Sequence, residues 1–244
     1  MKDVVDLVEI FSSIQGEGKY VGCRQVFVRL AGCNLRCDYC DTPHSYSAPA
    51  QCRIEQTAGK RDFISKDNPV KTSDAADMIN SLLRQPHHSV SLTGGEPLYQ
   101  VDALQQIAGK ITGKVYLETN GTLPQALKKV LGHIDIISMD IKLPKTAGRV
   151  LWNEHSDFLI LASSKEVFVK LVIEDGMDIR DFDQAIKLIA DINREILLIL
   201  QPVSPFNGCE AIAPDEIIEL HNRALRHLTN VRVIPQTHKF MGQL

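Results

Sequence analysis

The chain has 244 residues, of which 44% are hydrophobic and 23% charged, with a formal net charge of −3. That length suits one large α/β domain with a substantial core, and the charge balance gives no general affinity for nucleic acid or an anionic membrane. No apolar run approaches the roughly 20 residues that span a bilayer, and Asp3, Asp6 and Glu9 interrupt the place where a signal core would be apolar, so a soluble cytoplasmic protein is expected.

Residues 1–22 are expected to form a strand and a glycine-containing turn that lead into "RQVFVRL" (24–30), a β-branched, extended run. Residues 46–71 are polar, contain Pro49, Gly59 and Pro69 and follow no period, which suggests an insertion or lid. "SDAADMINSLLRQ" (73–85) reads as a helix, with Ser73 as a candidate cap and Ala75, Met78, Ile79, Leu82 and Leu83 on one stripe. After it, strand-like runs at 89–95, 114–121, 134–142, 166–173, 195–203 and 230–238 are interleaved with helical patterns at 102–111, 123–132, 181–193 and 213–228. Gly132 suits a helix stop, and Pro214 with Asp215 and Glu216 suits a helix start. Several strands are almost continuously apolar, as in a parallel sheet covered on both faces. The alternation implies right-handed βαβ units in an open sheet or an incomplete barrel, with the active site at the carboxyl ends of the strands. No repeat or linker divides residues 1–244, so a single domain is expected.

Three of the six cysteines fall in "AGCNLRCDYCDTPHS" (31–45), as Cys33, Cys37 and Cys40. In a cytosolic chain such a cluster points to metal or redox chemistry. A structural zinc ion takes four ligands, and His44 could complete a Cys3His set. A [4Fe–4S] cube held by three thiolates leaves one iron open to a small molecule. Both readings stand on spacing alone. Cys23, Cys52 and Cys209 read as ordinary thiols.

Cys-x3-Cys-x2-Cys with Tyr39 before the last cysteine resembles the signature of radical S-adenosylmethionine (SAM) enzymes, and "TGGEP" (93–97), "SMDIK" (138–142) and "QPVS" (201–204) resemble that superfamily's SAM-contacting segments. "SIQGEGKYVGCRQVFVRLAGCNLRCDYCDT" (13–42), Arg29 and the closing "PQTHKFMGQL" are similar to the 7-carboxy-7-deazaguanine synthase family. The resemblance implies a partial (β/α)-barrel of about six parallel strands. It implies a [4Fe–4S] cluster on Cys33, Cys37 and Cys40, and SAM held by Tyr39, Cys40, Asp41, Gly94, Gly95, Glu96, Ser138, Met139, Asp140, Lys142, Gln201, Pro202, Val203 and Ser204. It places Mg2+ at Thr42 and a small-molecule pterin substrate against Ile14, Gln15, Gly16, Glu17, Arg29, Thr93, His238 and the Leu244 carboxylate, so that residues 230–244 line the substrate pocket. Glu17, Arg29 and His238 are the candidate catalytic groups. The expected reaction is conversion of 6-carboxy-5,6,7,8-tetrahydropterin to 7-carboxy-7-deazaguanine with loss of ammonia, on the route to queuosine. The expected partners are a second copy of the chain and an electron donor such as flavodoxin or ferredoxin. Two alternatives share part of the pattern: a radical SAM activase that places a glycyl radical on a partner protein, and a zinc-stabilised binding module.

Overall fold

The computed structural model describes residues 3–204 and 210–243. Cys209 and the Leu244 carboxylate therefore lie outside the described residues. Strands β1 (Val4–Val5) and β2 (Leu7–Ile14) open the chain, and a 3-10 turn at Gly18–Tyr20 leads to β3 (Arg24–Leu30). β4 (Gln51–Glu55), β5 (Phe63–Asp67) and β6 (Val70–Lys71) come next. From there helices and strands alternate: α1 (Thr72–Leu82), β7 (Ser89–Gly94), α2 (Val101–Ala108), β8 (Val115–Thr119), α3 (Pro124–Val130), β9 (Ile136–Ile141), α4 (Pro144–Ala147), α5 (Trp152–Ala162), β10 (Glu166–Ile173), α6 (Ile179–Ile192), β11 (Leu197–Pro202), α7 (Pro214–Leu225), β12 (Val231–Val233) and α8 (Thr237–Met241).

One sheet of ten strands runs in the order β12-β11-β10-β9-β8-β7-β3-β2-β4-β5. The block from β3 through β7 to β12 is parallel throughout, while β2 is antiparallel to β3. Sequence neighbours are sheet neighbours across that block, as a partial (β/α)-barrel requires. No helix among the described residues is long and apolar enough to cross a membrane.

The period of two in each strand sorts its residues between two faces. Val26, Val28, Leu92, Leu117, Ile137, Met139, Leu171, Leu198 and Leu200 go to the helix-covered face and form the main core with α1, α2, α3, α5, α6 and α7. The opposite face is graded along its length. Tyr116, Ile136, Phe168, Leu197 and Ile199 make a small apolar plug, while Glu118, Ser138, Asp140, Lys170 and Gln201, further along the same strands, line a cavity.

Several local expectations change. Helix α1 starts after Lys71 with no side-chain cap, and the Ser73 hydroxyl bonds Asp74 instead. Residues 46–71 hold β4 and β5, a hairpin that extends the sheet beside β2, while Tyr46 lines the cavity. α5 lies in the span between β9 and β10, to which the sequence pattern assigns no element. The run at 230–238 stays extended only to Val233, and its end turns into α8. Gly132 lies in a 3-10 turn, Leu131–His133, that follows α3.

Candidate active site

A cavity of about 460 Å3 opens at the carboxyl ends of the parallel strands. Cys33, Cys37, Tyr39, Cys40, Asp41 and Thr42 form one wall, and Ile14, Gln15, Gly16 and Glu17, from the turn after β2, form another. Arg29, Thr93, Gly94, Gly95, Ser138, Asp140, Lys142, Gln201, Val203 and Ser204 come from the strand ends, and His238 from the C-terminal segment. The structure thus brings most of the expected residues to one space.

The cysteine loop is anchored from both sides. Gly95 N–H donates to the Leu30 carbonyl at 3.1 Å and Glu96 N–H to the Gly32 carbonyl at 2.8 Å. A Cβ on Gly94 would overlap the Leu30 backbone, and one on Gly95 the Gly32 carbonyl, so the paired glycines allow the loop to pass at backbone distance. Asn34, between Cys33 and Cys37, donates to Thr122 Oγ1 at 2.8 Å and accepts from Asn120 Nδ2 at 2.9 Å.

Glu96, Met139 and Pro202, expected against SAM, are not in the cavity wall. Glu96 is fully buried, and its carboxylate accepts from Leu98 N, Asn120 N and Thr119 Oγ1. It braces the strand ends, and burial raises its pKa from 4.5 to about 7. Met139 points into the core, one residue out of phase with Ser138 and Asp140. Pro202 alternates away from Gln201 and Val203 in the same manner.

Several charges in the cavity are paired. Glu17 and Lys170 form a buried ion pair, and Lys170 also lies 3.8 Å from Asp140. Burial would raise the Glu17 pKa, but the Lys170 ammonium and hydrogen bonds from Lys170 and Gln236 hold it down at about 2. Burial would likewise lower the Lys142 pKa. Asp140, 2.9 Å from its ammonium, raises it well above the ordinary value, and the ammonium also lies over the Tyr39 ring. Arg29 lines the cavity and uses Nε to bond Glu9 at 3.0 Å, which leaves its terminal nitrogens out of that ion pair. Thr42 lines the cavity; its carbonyl accepts from the Ser45 hydroxyl, and its own hydroxyl lies 3.9 Å from Cys40 Sγ.

Sequence reasoning missed Glu118, Lys170, Gln236 and Lys239, all of which line the cavity. Glu118 accepts from Gln15 Nε2 at 2.6 Å and Thr93 Oγ1 at 3.0 Å. A lone charge inside an apolar strand was the available signal for Glu118 and Lys170, because such charges are buried only when paired. Gln236 and Lys239 carry no such mark.

The donor set discriminates between the two readings of the cysteine loop. Thiolates around one zinc ion lie about 3.8 Å apart, given tetrahedral Zn–S bonds. Among the described residues, the group whose ligand atoms all lie within 4.8 Å of one another is Glu17, Asp41 and His238, and it includes no cysteine. Cys33, Cys37 and Cys40 form no disulfide and share one wall of the cavity without closing to zinc-ligand distance, which fits the corners of a cube. Asp140 Oδ1 and Gln201 Oε1 are buried without a hydrogen-bond partner. Such acceptors call for donors, and the hydroxyl and amino groups of an aminoacyl nucleoside supply them.

The family model of the Radical SAM superfamily matches residues 28–153. A 7-carboxy-7-deazaguanine synthase of Geobacter sulfurreducens is 47% identical, covering 100% of this chain and 99% of its own. One of Archaeoglobus fulgidus is 35% identical over 97% of this chain and 98% of its own. The crystal structure of QueE from Escherichia coli shares the fold with a TM-score of 0.62, covering 96% of this chain and 95% of that one at 21% identity.

Proposed function

The chain belongs to the 7-carboxy-7-deazaguanine synthase family of the Radical SAM superfamily, and from that premise we propose that it converts 6-carboxy-5,6,7,8-tetrahydropterin to 7-carboxy-7-deazaguanine with loss of ammonia. The observation that carries the reading is one cavity holding three disulfide-free cysteines on one side and an arginine and several carboxylates on the other. When bound, the cluster and SAM supply a 5′-deoxyadenosyl radical.

The chain's own residues position and shield. Cys33, Cys37 and Cys40 hold the cluster. Asp140, Lys142 and Gln201 take the polar groups of SAM, supported by Ser138, Val203, Ser204 and the backbone at Gly94 and Gly95. Arg29, steadied by Glu9, offers its free nitrogens to the pterin carboxylate as a fork. Gln15, Glu17, Thr93, Glu118 and His238 face the polar edge of the ring. Glu17, held near 2, is charged at working pH and accepts hydrogen bonds without taking a proton. Thr42 contributes its hydroxyl to Mg2+. A neutral hydroxyl is a poor sole ligand for a hard cation, so substrate oxygens must complete the site. The protein works as a homodimer and takes electrons from a flavodoxin or ferredoxin.

The test is anaerobic reconstitution followed by incubation with the carboxytetrahydropterin, SAM, Mg2+ and dithionite, with the product read by chromatography and mass. Absence of product from protein with a full iron complement would overturn the reading. Mg2+ binding should tighten at least about tenfold when the pterin is present. Equal affinity by calorimetry with and without pterin would remove Thr42 from a shared site.

A further inference from the structure

We propose that Gln236 is a positioning residue that ties the substrate side of the cavity to the cysteine loop, so that SAM cleavage is held to substrate occupancy. This rests on the activity proposed above. The Gln236 amide is buried between three segments of chain. Its Nε2 donates to Glu17 Oε1 at 2.7 Å and to Asp41 Oδ2 at 2.9 Å, and its Oε1 accepts from Lys239 Nζ at 2.5 Å. Two carboxylates on one side and an ammonium on the other fix the amide orientation, because the flipped amide would set oxygen against oxygen and N–H against N–H.

The segment that carries Gln236 is registered against the turn that carries Glu17. Thr237 donates to the Gly16 carbonyl from its backbone N at 2.8 Å and from Oγ1 at 3.1 Å. A Cβ on Gly16 would overlap His238, so the two segments meet at backbone distance. Asp41 sits between Cys40 and Thr42, and among the described residues Gln236 is the only hydrogen-bond partner of its carboxylate. One amide therefore links the end of the cysteine loop to Glu17 and Lys239 on the substrate side, two residues before His238. A ligand that settles against Glu17 and His238 fixes that amide, and the amide in turn fixes Asp41 and the Cys40 end of the loop.

Alternative roles are separable. If Gln236 only fills space, a side chain of equal length without donors would serve as well. The test is Gln236→Met, which keeps the volume and removes all three hydrogen bonds to charged groups. With SAM, pterin and dithionite, the variant should release at least about ten times more 5′-deoxyadenosine per molecule of product than the unmodified protein, the scale expected for loss of a charged hydrogen bond. The reduced cluster gives a second readout. Its paramagnetic resonance spectrum should still change on adding SAM, while the further change on adding pterin is lost. Should the variant not fold, hydrogen exchange of the unmodified, reconstituted protein decides. Pterin added to the SAM-bound protein should slow exchange at residues 37–42 as well as at 14–17 and 236–238. A wild-type ratio with an intact pterin-induced spectral change, or protection that stops short of residues 37–42, overturns the role of Gln236. Unmodified protein that forms no product overturns the activity instead, and the inference with it.

Discussion

Replacing Lys170 by methionine should destabilise the protein by about 3 kcal/mol at neutral pH, chiefly through Glu17. Lys170 and Glu17 are 10% and 18% exposed at their side chains and pair directly. Burial alone would raise the Glu17 pKa, yet it falls from 4.5 to about 2, and a shift of that size corresponds to about 3 kcal/mol of folded-state stabilisation of the charged form. Because the folded pKa is depressed, this stability is present above 4.5 and is lost as pH falls from 4.5 toward 2. In Lys170→Met the carboxylate stays buried with Gln236 as its remaining donor, so burial dominates and the charge becomes a cost that protonation relieves. The difference between the two proteins is therefore largest near pH 7 and shrinks as the solution is acidified. Urea unfolding of the cluster-free protein, followed by circular dichroism from pH 7 down to pH 4, measures it. Adding Glu17→Gln to Lys170→Met should recover part of the loss, since no charge is then left unpaired. A loss under about 1 kcal/mol, or one that does not vary with pH, would refute the reasoning.

Three further perturbations follow from the same geometry. Gly95→Ala sets a methyl group against the Gly32 carbonyl and Cys33 Cβ, so iron content after reconstitution should fall several-fold, and full iron loading would contradict the close approach. Glu96→Gln turns an amide N–H toward donors at Leu98 and Asn120 and should cost about 2 kcal/mol. Because the Glu96 pKa is raised from 4.5 to about 7, the native protein gains stability relative to this variant as pH falls from 7 to 4.5, the opposite sign and a separate window from Glu17. Arg29→Lys keeps a cation opposite Glu9 but loses the fork. The KM for the pterin should rise about tenfold with SAM affinity unchanged in calorimetry, and an unaltered KM would move the substrate carboxylate elsewhere.

What was legible in the sequence depended on how many independent constraints fell on a residue. The long strands were clear because each is apolar on two faces and bounded by turn residues, and "EVFVKLVI" coincides with β10 at Glu166–Ile173. The hairpin of β4 and β5 was not, because its exposed edge position leaves polar residues on both faces. Its sequence reads as a loop until β2 supplies a pairing partner. α5 was missed for a related reason. Its buried residues include His155, whose ring meets the Gly121 carbonyl at 3.1 Å and the Lys142 N–H at 3.1 Å. A buried histidine breaks the apolar stripe while serving the strand ends.

Among the site residues, the misplaced ones follow a rule available beforehand. Ser138, Asp140 and Lys142 share parity, so Met139 between them had to face the helices. Glu96 followed a chemical argument, that a carboxylate suits an ammonium, but the turn after Gly95 carries its side chain beneath the cavity floor, where backbone N–H groups already satisfy it.

Parity also accounts for why the site lies where it does. Along β8 the inward residues are Tyr116 then Glu118, along β9 Ile136, Ser138 and Asp140, along β10 Phe168 then Lys170, and along β11 Ile199 then Gln201. In the paired register the change from apolar to polar is level on β8 and β9, then comes two residues later on β10 and two later again on β11. In an antiparallel sheet such a gradient would place polar ends alternately at the two edges. Because these strands run parallel, the polar ends accumulate at one edge, facing the cysteine loop that follows β3. The apolar plug beneath them anchors the strands, and the charged pairs above it are held in a shape that the chain alone does not fill.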